Sequence, residues 1–592
     1  MSPTARALRE AAVVGAGAVA VTVAATWPQA TRLTSTVPGN LGDPLYFAWQ
    51  MAWVGHALGT DPGGLWTTNA FAGAPDSLAF TDAILGYAPL TLLTQPFAQG
   101  QAGALLVLNL AGMLATALSL CGGYALARVH GAGVAGSLVA GAGFGLAPWR
   151  LEQVIHVNVV STGGMALTLA ALSYGNGWSL RHGWRPDRLR PGWVLAGWAL
   201  ACWQLTLGFA VGIPFAYVLA IVMGLWAGGW LLRGRRAVPR LPGRFLAAHA
   251  AGALGFAVLG YTLTRPYLRV VAANPGAQRT EAMLDLFSPP WRGLITGPET
   301  SRFWGEPHRD WRADLSWTPE MVLSPGMVLL ALAVVGLFVS VWPARRRWWL
   351  AAAVAATVLL ALGTRAPFGG RWTYLPIYQH LPGWEALRTP GRLMIWVTLG
   401  LALLAAGAVA RLAQVVADEL ARTGARAGER AGERAGERAR RRLAVPVAAV
   451  LALPTLAVGY EGLGTTPHWE VSRAPVAVRE LPQPVLFLPS DQIGDYHMML
   501  WSTDGWPRLV NGGSAFDPEE QVRLREQVTT FPDAASVAAL RRQGVATVVV
   551  VRSRAVGGTW QEAADRPVDG LGIGRDDRGD GVVFDLRPPG AG

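Results

Sequence analysis

The sequence predicts a mainly α, polytopic membrane protein: a bundle of about eleven spanning helices followed by a small C-terminal α/β unit. Three observations predict it. Only 15% of the 592 residues are charged while 52% are hydrophobic, and mean hydropathy is +0.30; a soluble chain is about one quarter charged. The charges gather in short clusters between apolar runs of about 17–25 residues, the length that crosses a bilayer. Arginine clusters then recur in alternate intervals between the runs.

The runs fall near 11–27, 103–127, 132–148, 157–175, 192–206, 209–232, 246–264, 323–342, 348–363, 391–411 and 444–460. The first follows Arg6 and Arg9 and reads as an uncleaved helix, since many spans follow it. Arg181, Arg185, Arg188 and Arg190 follow the fourth run, and Arg233, Arg235, Arg236, Arg240 and Arg244 the sixth. Arg345, Arg346 and Arg347 follow the eighth, and the segment from Arg411 to Arg442 the tenth. With a cytoplasmic N-terminus all of these fall on the cytoplasmic side, as positive-inside bias requires. Segment 83–98 is apolar but broken by Pro89 and Pro96. A span there would move every later cluster across the membrane, so it is predicted as an interfacial helix on the outer surface.

The chain thus divides into a transmembrane part, 1–460, and an extracytoplasmic α/β domain, 461–592. The first carries outer loops 28–102, 265–322 and 364–390 and a basic cytoplasmic linker, 412–443. The expected location is the cytoplasmic (inner) membrane. In the linker Ala-Gly-Glu-Arg occurs three times between Ala427 and Arg438. That period is close to a helical turn and would stack Glu and Arg in ladders, although the glycines weaken such a helix. A variable solvated linker is the plainer reading. Arg440, Arg441 and Arg442 would lie near anionic headgroups.

Net charge is +12 and the pI near 10.4, which can mark nucleic-acid binding. The arginines sit beside apolar runs instead of on one soluble face, so that reading is rejected. Cys121 and Cys202 both lie inside apolar runs, which argues against a disulfide framework and a cysteine-ligated metal. No P-loop, dinucleotide fingerprint, zinc spacing or serine-nucleophile elbow occurs. In the tail, Val485–Leu488, Val545–Val551 and Val582–Leu586 read as strands and Glu519–Thr529 and Ala534–Gln543 as helices. Asp495, Tyr496, His497, Trp501, Asp504, Trp506 and Asn511 crowd its first half. Such a polar, aromatic set suits a sugar site or the lid of a small domain.

The outer loops hold the candidate chemistry. Gly42-Asp43-Pro44 precedes an aromatic segment, Tyr46, Phe47, Trp49 and Trp53 with His56, expected to lie along the interface. A carboxylate there sits just above the membrane plane, suits a lipid-linked substrate, and can take a proton from an attacking hydroxyl. Asp43 also suits the cap of the following helix, with Pro44 at its first helical position, and the two roles are not exclusive. Asp76 and Asp82 are further acids near the interface, Asp82 being read as the cap of a helix beginning at Ala83. Between the third and fourth runs lie Arg150, suited to a phosphate, and Glu152 and His156, suited to a sugar or a metal. An Arg150–Glu152 pair closing a tight turn is the alternative. Loop 265–322 carries Arg265, Arg269, Arg279, Arg292, Arg302, Arg309 and Arg312 and ends near Glu320. Arginines on the outer side suit a phosphate or pyrophosphate head group, or merely a soluble loop. Arg388 and Arg392 stand at the mouth of the tenth run, where they could clamp a lipid phosphate or snorkel to the interface.

These pieces, in this order, resemble the bacterial polytopic membrane proteins of the GT-C glycosyltransferase superfamily. The resemblance rests on Gly42-Asp43-Pro44 with its aromatic segment, on Asn69 to Asp82 and on Pro148 to His156. It rests further on Glu320 before Leu323-Ser324-Pro325-Gly326, on Leu381 to Arg392 and on Leu509 to Phe516. It implies a polyprenyl-phosphate-linked sugar donor, an active site on the outer face and an essential acid in the first outer loop, here Asp43. Many relatives pair two acids in that loop; here Pro44 follows Asp43.

The function expected is transfer of a sugar from a polyprenyl-phosphate donor to an envelope glycan, lipid or protein. Asp43 is the expected catalytic residue. Asp76, Arg150, Glu152, His156, Glu320, Arg388 and Arg392 are the expected substrate-binding residues. No metal ligand is assigned, and a divalent cation is the one cofactor considered. Two other functions remain open: a transporter or flippase for a lipid-linked saccharide, and a non-enzymatic envelope assembly protein. A transporter would place ionisable residues deep in several helices, and few are seen there.

Overall fold

The computed structural model describes residues 2–232, 241–431 and 433–588. The predicted cluster Arg233–Arg240 lies outside the described residues, as do the side chains of most of the Ala-Gly-Glu-Arg repeat.

Helices occupy the predicted runs: α1 (Pro3–Ala25), and, after two helices of the first long loop, α2 (Asp43–Thr60) and α3 (Ala88–Thr94), α4 (Gly100–Val129) and α5 (Gly133–Gly145). Next come α6 (Gly163–Gly175), α7 (Pro191–Leu205), α8 (Phe209–Leu232), α9 (Gly243–Ala273), α10 (Met327–Phe338) and α11 (Ala344–Ala361). The bundle closes with α12 (Met394–Ala431) and α13 (Glu433–Glu461). Six of the described helical segments are long and apolar enough to cross a membrane, and the chain is an integral membrane protein.

Helix α12 lies at the centre of the bundle. Leu401 to Ala406 are nearly all buried, because α5, α10, α11 and α13 surround it. Small residues let these backbones approach. A Cβ on Gly336 would stand 2.1 Å from the Leu404 carbonyl oxygen, and one on Gly136 2.4 Å from that of Ala406.

The segment predicted as an interfacial helix from Ala83 is helical only over Ala88–Thr94. The amides of Leu85 and Gly86 are instead drawn to the Thr206 carbonyl, at 2.9 and 3.0 Å, and residues 82–85 form no helix. The aromatic helix α2 does not lie bare on an interface either. Leu45, Tyr46, Phe47, Trp49 and Met51 are buried, between α4 on one side and the tail on the other.

The tail contains a four-stranded sheet. Strands β1 (Val485–Leu488), β2 (Thr547–Val551), β3 (Gly574–Arg578) and β4 (Gly581–Asp585) stand in the order β1-β2-β4-β3. The first pair is parallel and the others antiparallel. Val548, Val550, Phe531, Phe584 and Leu540 form a core under the helices Glu519–Gln527 and Ala534–Arg542. The tail is stapled to the first long loop by backbone pairing of Thr36–Pro38 with His468–Glu470. Asn69 makes a second staple. Its Nδ2 donates to Ser502 Oγ and to the Pro507 carbonyl, both at 2.9 Å, and its Oδ1 accepts from Trp49 Nε1 at 3.2 Å. Asn511-Gly512-Gly513 is small for a reason: a Cβ on Gly512 would lie 2.3 Å from the Phe71 ring.

Candidate active site

Asp43 is the first residue of α2, and Gly42, not Asp43, is the capping residue. Asn40 Oδ1 accepts from the Gly42 amide at 2.9 Å and shapes the turn. The capping role is thereby set aside, because the carboxylate points elsewhere: its Oδ2 lies 2.8 Å from His156 Nε2. Oδ1 has no partner among the described residues, and the side chain is 38% exposed, enough for a ligand to reach it.

His156 ends the turn between α5 and α6 and precedes a short helical stretch, Val157–Val160. Its Nδ1 lies 2.8 Å from Gln153 Oε1, and the Gln153 amide is oriented by donating Nε2–H to the Pro319 carbonyl. Both ring nitrogens therefore face acceptor oxygens, an arrangement that an imidazolium satisfies by donating twice. Burial alone would push the Asp43 carboxyl up. The His156 bond and the positive charges of His156, Arg392 and Arg388 outweigh it and hold Asp43 below the usual aspartate value.

Glu320 and Arg392 form a second pair. Arg392 donates Nε–H to both carboxylate oxygens, at 3.1 and 3.2 Å, and its terminal nitrogen also reaches Oε1. The Glu320 side chain is only 6% exposed and Arg392 18%, so Arg392 turns inward instead of snorkelling to the interface. Burial raises Glu320, and Arg392 overrides it, leaving Glu320 below the usual glutamate value. Arg388 is half-buried against the Phe287 ring, 4.9 Å from its centre, and has no carboxylate within ion-pair distance among the described residues. Burial, followed by the repulsion of Arg392, depresses it. Arg279 is a further half-buried cation that feels Arg388; its terminal nitrogen donates to the Ala515 carbonyl of the tail at 3.0 Å.

Arg392 also lines a slot walled by Val211, Pro214, Tyr374, Trp384, Leu387, Thr389 and Trp396. Arg388, unneutralised and near this buried ion pair, offers a positive site to an anionic group.

The other predicted residues stand apart from this cluster. Asp76 sits in the left-handed region at φ 55° and is bound by Arg269 through two bonds of 2.7 and 2.6 Å, tying its loop to α9. Arg150 is buried, and its guanidinium is spent on Thr162 Oγ1, Ser119 Oγ and the Val160 carbonyl. Three of its five N–H groups are thus taken by protein acceptors, and it does not pair with Glu152. Glu152 accepts from Thr318 Oγ1 at 2.9 Å and links its turn to the segment carrying Glu320. Asp82 does not cap a helix at Ala83. It caps α8 from across the fold, accepting from the amides of Phe209 and Ala210 at 2.5 and 3.0 Å and from Asn158 Nδ2 at 3.1 Å. Among the described residues no three His, Cys, Asp or Glu side chains gather as a metal site.

Tyr496 belongs to the polar, aromatic set of the tail and is not among the expected substrate-binding residues. It reaches the cluster from the tail, its ring 5.3 Å from that of Tyr46. The crowding of polar and aromatic residues around it was the available signal.

No known family profile matches the chain, and no curated protein does. Solved structures similar to it include ArnT from Cupriavidus metallidurans in the apo state, at 16% identity over 99% of each chain with a TM-score of 0.48. The same protein bound to undecaprenyl phosphate is 17% identical over 100% of each chain, with a TM-score of 0.48. An oligosaccharyltransferase from Archaeoglobus fulgidus in the apo form is 15% identical, with a TM-score of 0.39. That likeness covers 91% of this chain and 69% of the other.

Proposed function

We propose that this chain is a membrane glycosyltransferase of the GT-C type. It moves a sugar from a polyprenyl-phosphate-linked donor to an envelope acceptor on the outer face of the cytoplasmic membrane. The observation that carries the reading is Arg388, a half-buried cation with no carboxylate partner among the described residues, close enough to Asp43 and Arg392 for their charges to act on it.

The roles follow from charge. The donor's isoprenoid chain stays in the bilayer, and its phosphate meets Arg388 and Arg392. The acceptor hydroxyl approaches the free Oδ1 of Asp43. Its oxygen bonds to the anomeric carbon as the bond from that carbon to the phosphate oxygen breaks. The electron pair leaves with the polyprenyl phosphate, and the hydroxyl proton passes to Asp43. A single displacement of this kind inverts the anomeric centre. A carboxylate held below its usual pKa is a weak base, so it orients the hydroxyl and takes the proton late, once positive charge has developed on the sugar. The leaving group is already an anion and needs charge stabilisation more than a proton, which the arginines supply. His156 holds Asp43 in place through Oδ2. Asp43 is engaged by His156 through Oδ2 and Glu320 by Arg392, and this scheme routes no step through a divalent cation. The N-terminus is cytoplasmic and the tail extracytoplasmic in this reading, which sets the site on the outer side.

The test is transfer of radiolabelled sugar from a panel of polyprenyl-phosphate sugars by membranes carrying the wild type or Arg388→Gln. The expected result is wild-type transfer from at least one donor, with the donor KM raised about tenfold in the variant, as loss of a charged contact implies. Equal donor KM values would remove Arg388 from the phosphate site.

A further inference from the structure

The tail meets the site at Tyr496. Tyr496 lies in the helix Asp495–Trp501, which packs on α2, and its ring tilts at 55° against that of Tyr46. The residue is only 6% exposed, yet its hydroxyl has no hydrogen-bond partner among the described residues and is not sealed from solvent. A buried phenol normally finds a partner for its O–H. The charges of Asp43 and Arg388 both act on this one.

The position is held from several sides. Asp495, its neighbour in sequence, is fully buried. Its oxygens accept from Asn511 Nδ2 at 2.8 Å, Ser490 Oγ at 2.9 Å, the Gly512 amide at 3.1 Å and Arg525 at 3.1 Å. Gly513 presses on the ring itself: a Cβ there would stand 2.7 and 2.9 Å from two of its carbons. A phenol so fixed, with its hydroxyl left free, is preorganised for a ligand.

The geometry points to Tyr496 as a specificity residue, donated by the tail, whose hydroxyl hydrogen-bonds a hydroxyl of the donor sugar. This rests on the glycosyltransferase reading. In that reading the transferred sugar lies between its own phosphate, at Arg388 and Arg392, and the acceptor hydroxyl, at Asp43. Tyr496 packs against Tyr46, which follows Asp43 by three residues in α2, and this contact brings the tail to the Asp43 side of that space. Burial, together with the charge of Asp43, keeps the phenol protonated well above its usual range, as a neutral donor suited to an uncharged sugar oxygen. The tail is thus part of the binding site as well as a cover over α2.

Tyr496→Phe removes the hydroxyl and keeps the ring pair. In membranes, with radiolabelled polyprenyl-phosphate sugars, it is expected to raise donor KM about tenfold while thermal unfolding stays unchanged. Among donors each lacking one sugar hydroxyl, one is expected to be transferred alike by wild type and variant, because its contact is already missing. The wild type should discriminate against that same donor by about tenfold. A merely structural tyrosine would lower transfer from every donor equally. Wild-type transfer with an unchanged donor KM in Tyr496→Phe overturns the inference and leaves the enzyme reading standing. No transfer by the wild type from any donor overturns the reading beneath it, and the inference with it.

Discussion

His156 and Asp43 are joined across the fold, Nε2 to Oδ2 at 2.8 Å, with His156 itself steadied by Gln153. The histidine is the group that keeps one carboxylate oxygen occupied and leaves the other free. His156→Gln keeps an amide N–H for Asp43 but removes the imidazole that links it to Gln153. The expected outcome is a fall in kcat of about 10- to 100-fold at constant protein level, the range of a lost orienting contact. Single-turnover transfer in membranes measures it.

Glu320 and Arg392 are a buried pair, and removing one partner strands the other. Glu320→Gln is expected to cost about 3–5 kcal/mol. Replacing both residues with neutral ones of similar size should restore much of that, although the Arg392 contribution to transfer would still be lost. Thermal unfolding of the purified protein in detergent, for the two single variants and the double variant, checks this.

The same carboxylates set the pH response. Glu320 and Asp43 are both held below their ordinary values, so the unfolded chain binds protons more readily there than the folded chain does. Their contribution is complete above the unfolded carboxylate range of about 3.9–4.3 and is lost as pH falls through the lower folded values. Melting temperature should therefore be insensitive to these groups from neutrality down to about pH 5 and fall below about pH 4. Glu320→Gln should flatten that acid fall.

Docking of the tail is testable at Asn69, whose amide serves Ser502, Pro507 and Trp49 at once. Asn69→Ala leaves the indole N–H of Trp49 and the Pro507 carbonyl without this partner, at about 1–3 kcal/mol for each group that stays dry. Limited proteolysis should cut the segment after Glu461 faster in the variant, while α12 and its neighbours remain protected.

Much of this architecture was legible in the sequence because membrane helices and buried strands write themselves as runs. The helical runs reappear as helices, and Val545–Val551 reappears as a strand at Thr547–Val551. The helix that begins at Asp43 was legible too, since Gly-Asp-Pro before an aromatic run is a local pattern. The partners of these residues were not. His156 reaches Asp43, and Arg392 reaches Glu320, only when distant loops converge, and no local spacing encodes that. Burial misled at Arg150, which looks like a free cation in sequence and is enclosed by hydroxyls and a carbonyl. It misled at Asp82 as well, whose helix to cap is the distant α8. The strand Gly574–Arg578 is wholly exposed, so its residues carry no apolar signature.

The most direct test of the account is Asp43→Asn in the transfer assay with polyprenyl-phosphate sugar donors. The asparagine keeps the shape and can still meet His156, but it cannot take the acceptor proton. Transfer is expected to fall by about 10²–10⁴-fold with donor KM little changed. An Asp43→Asn protein, equally abundant and folded, that transfers sugar at the wild-type rate would contradict it.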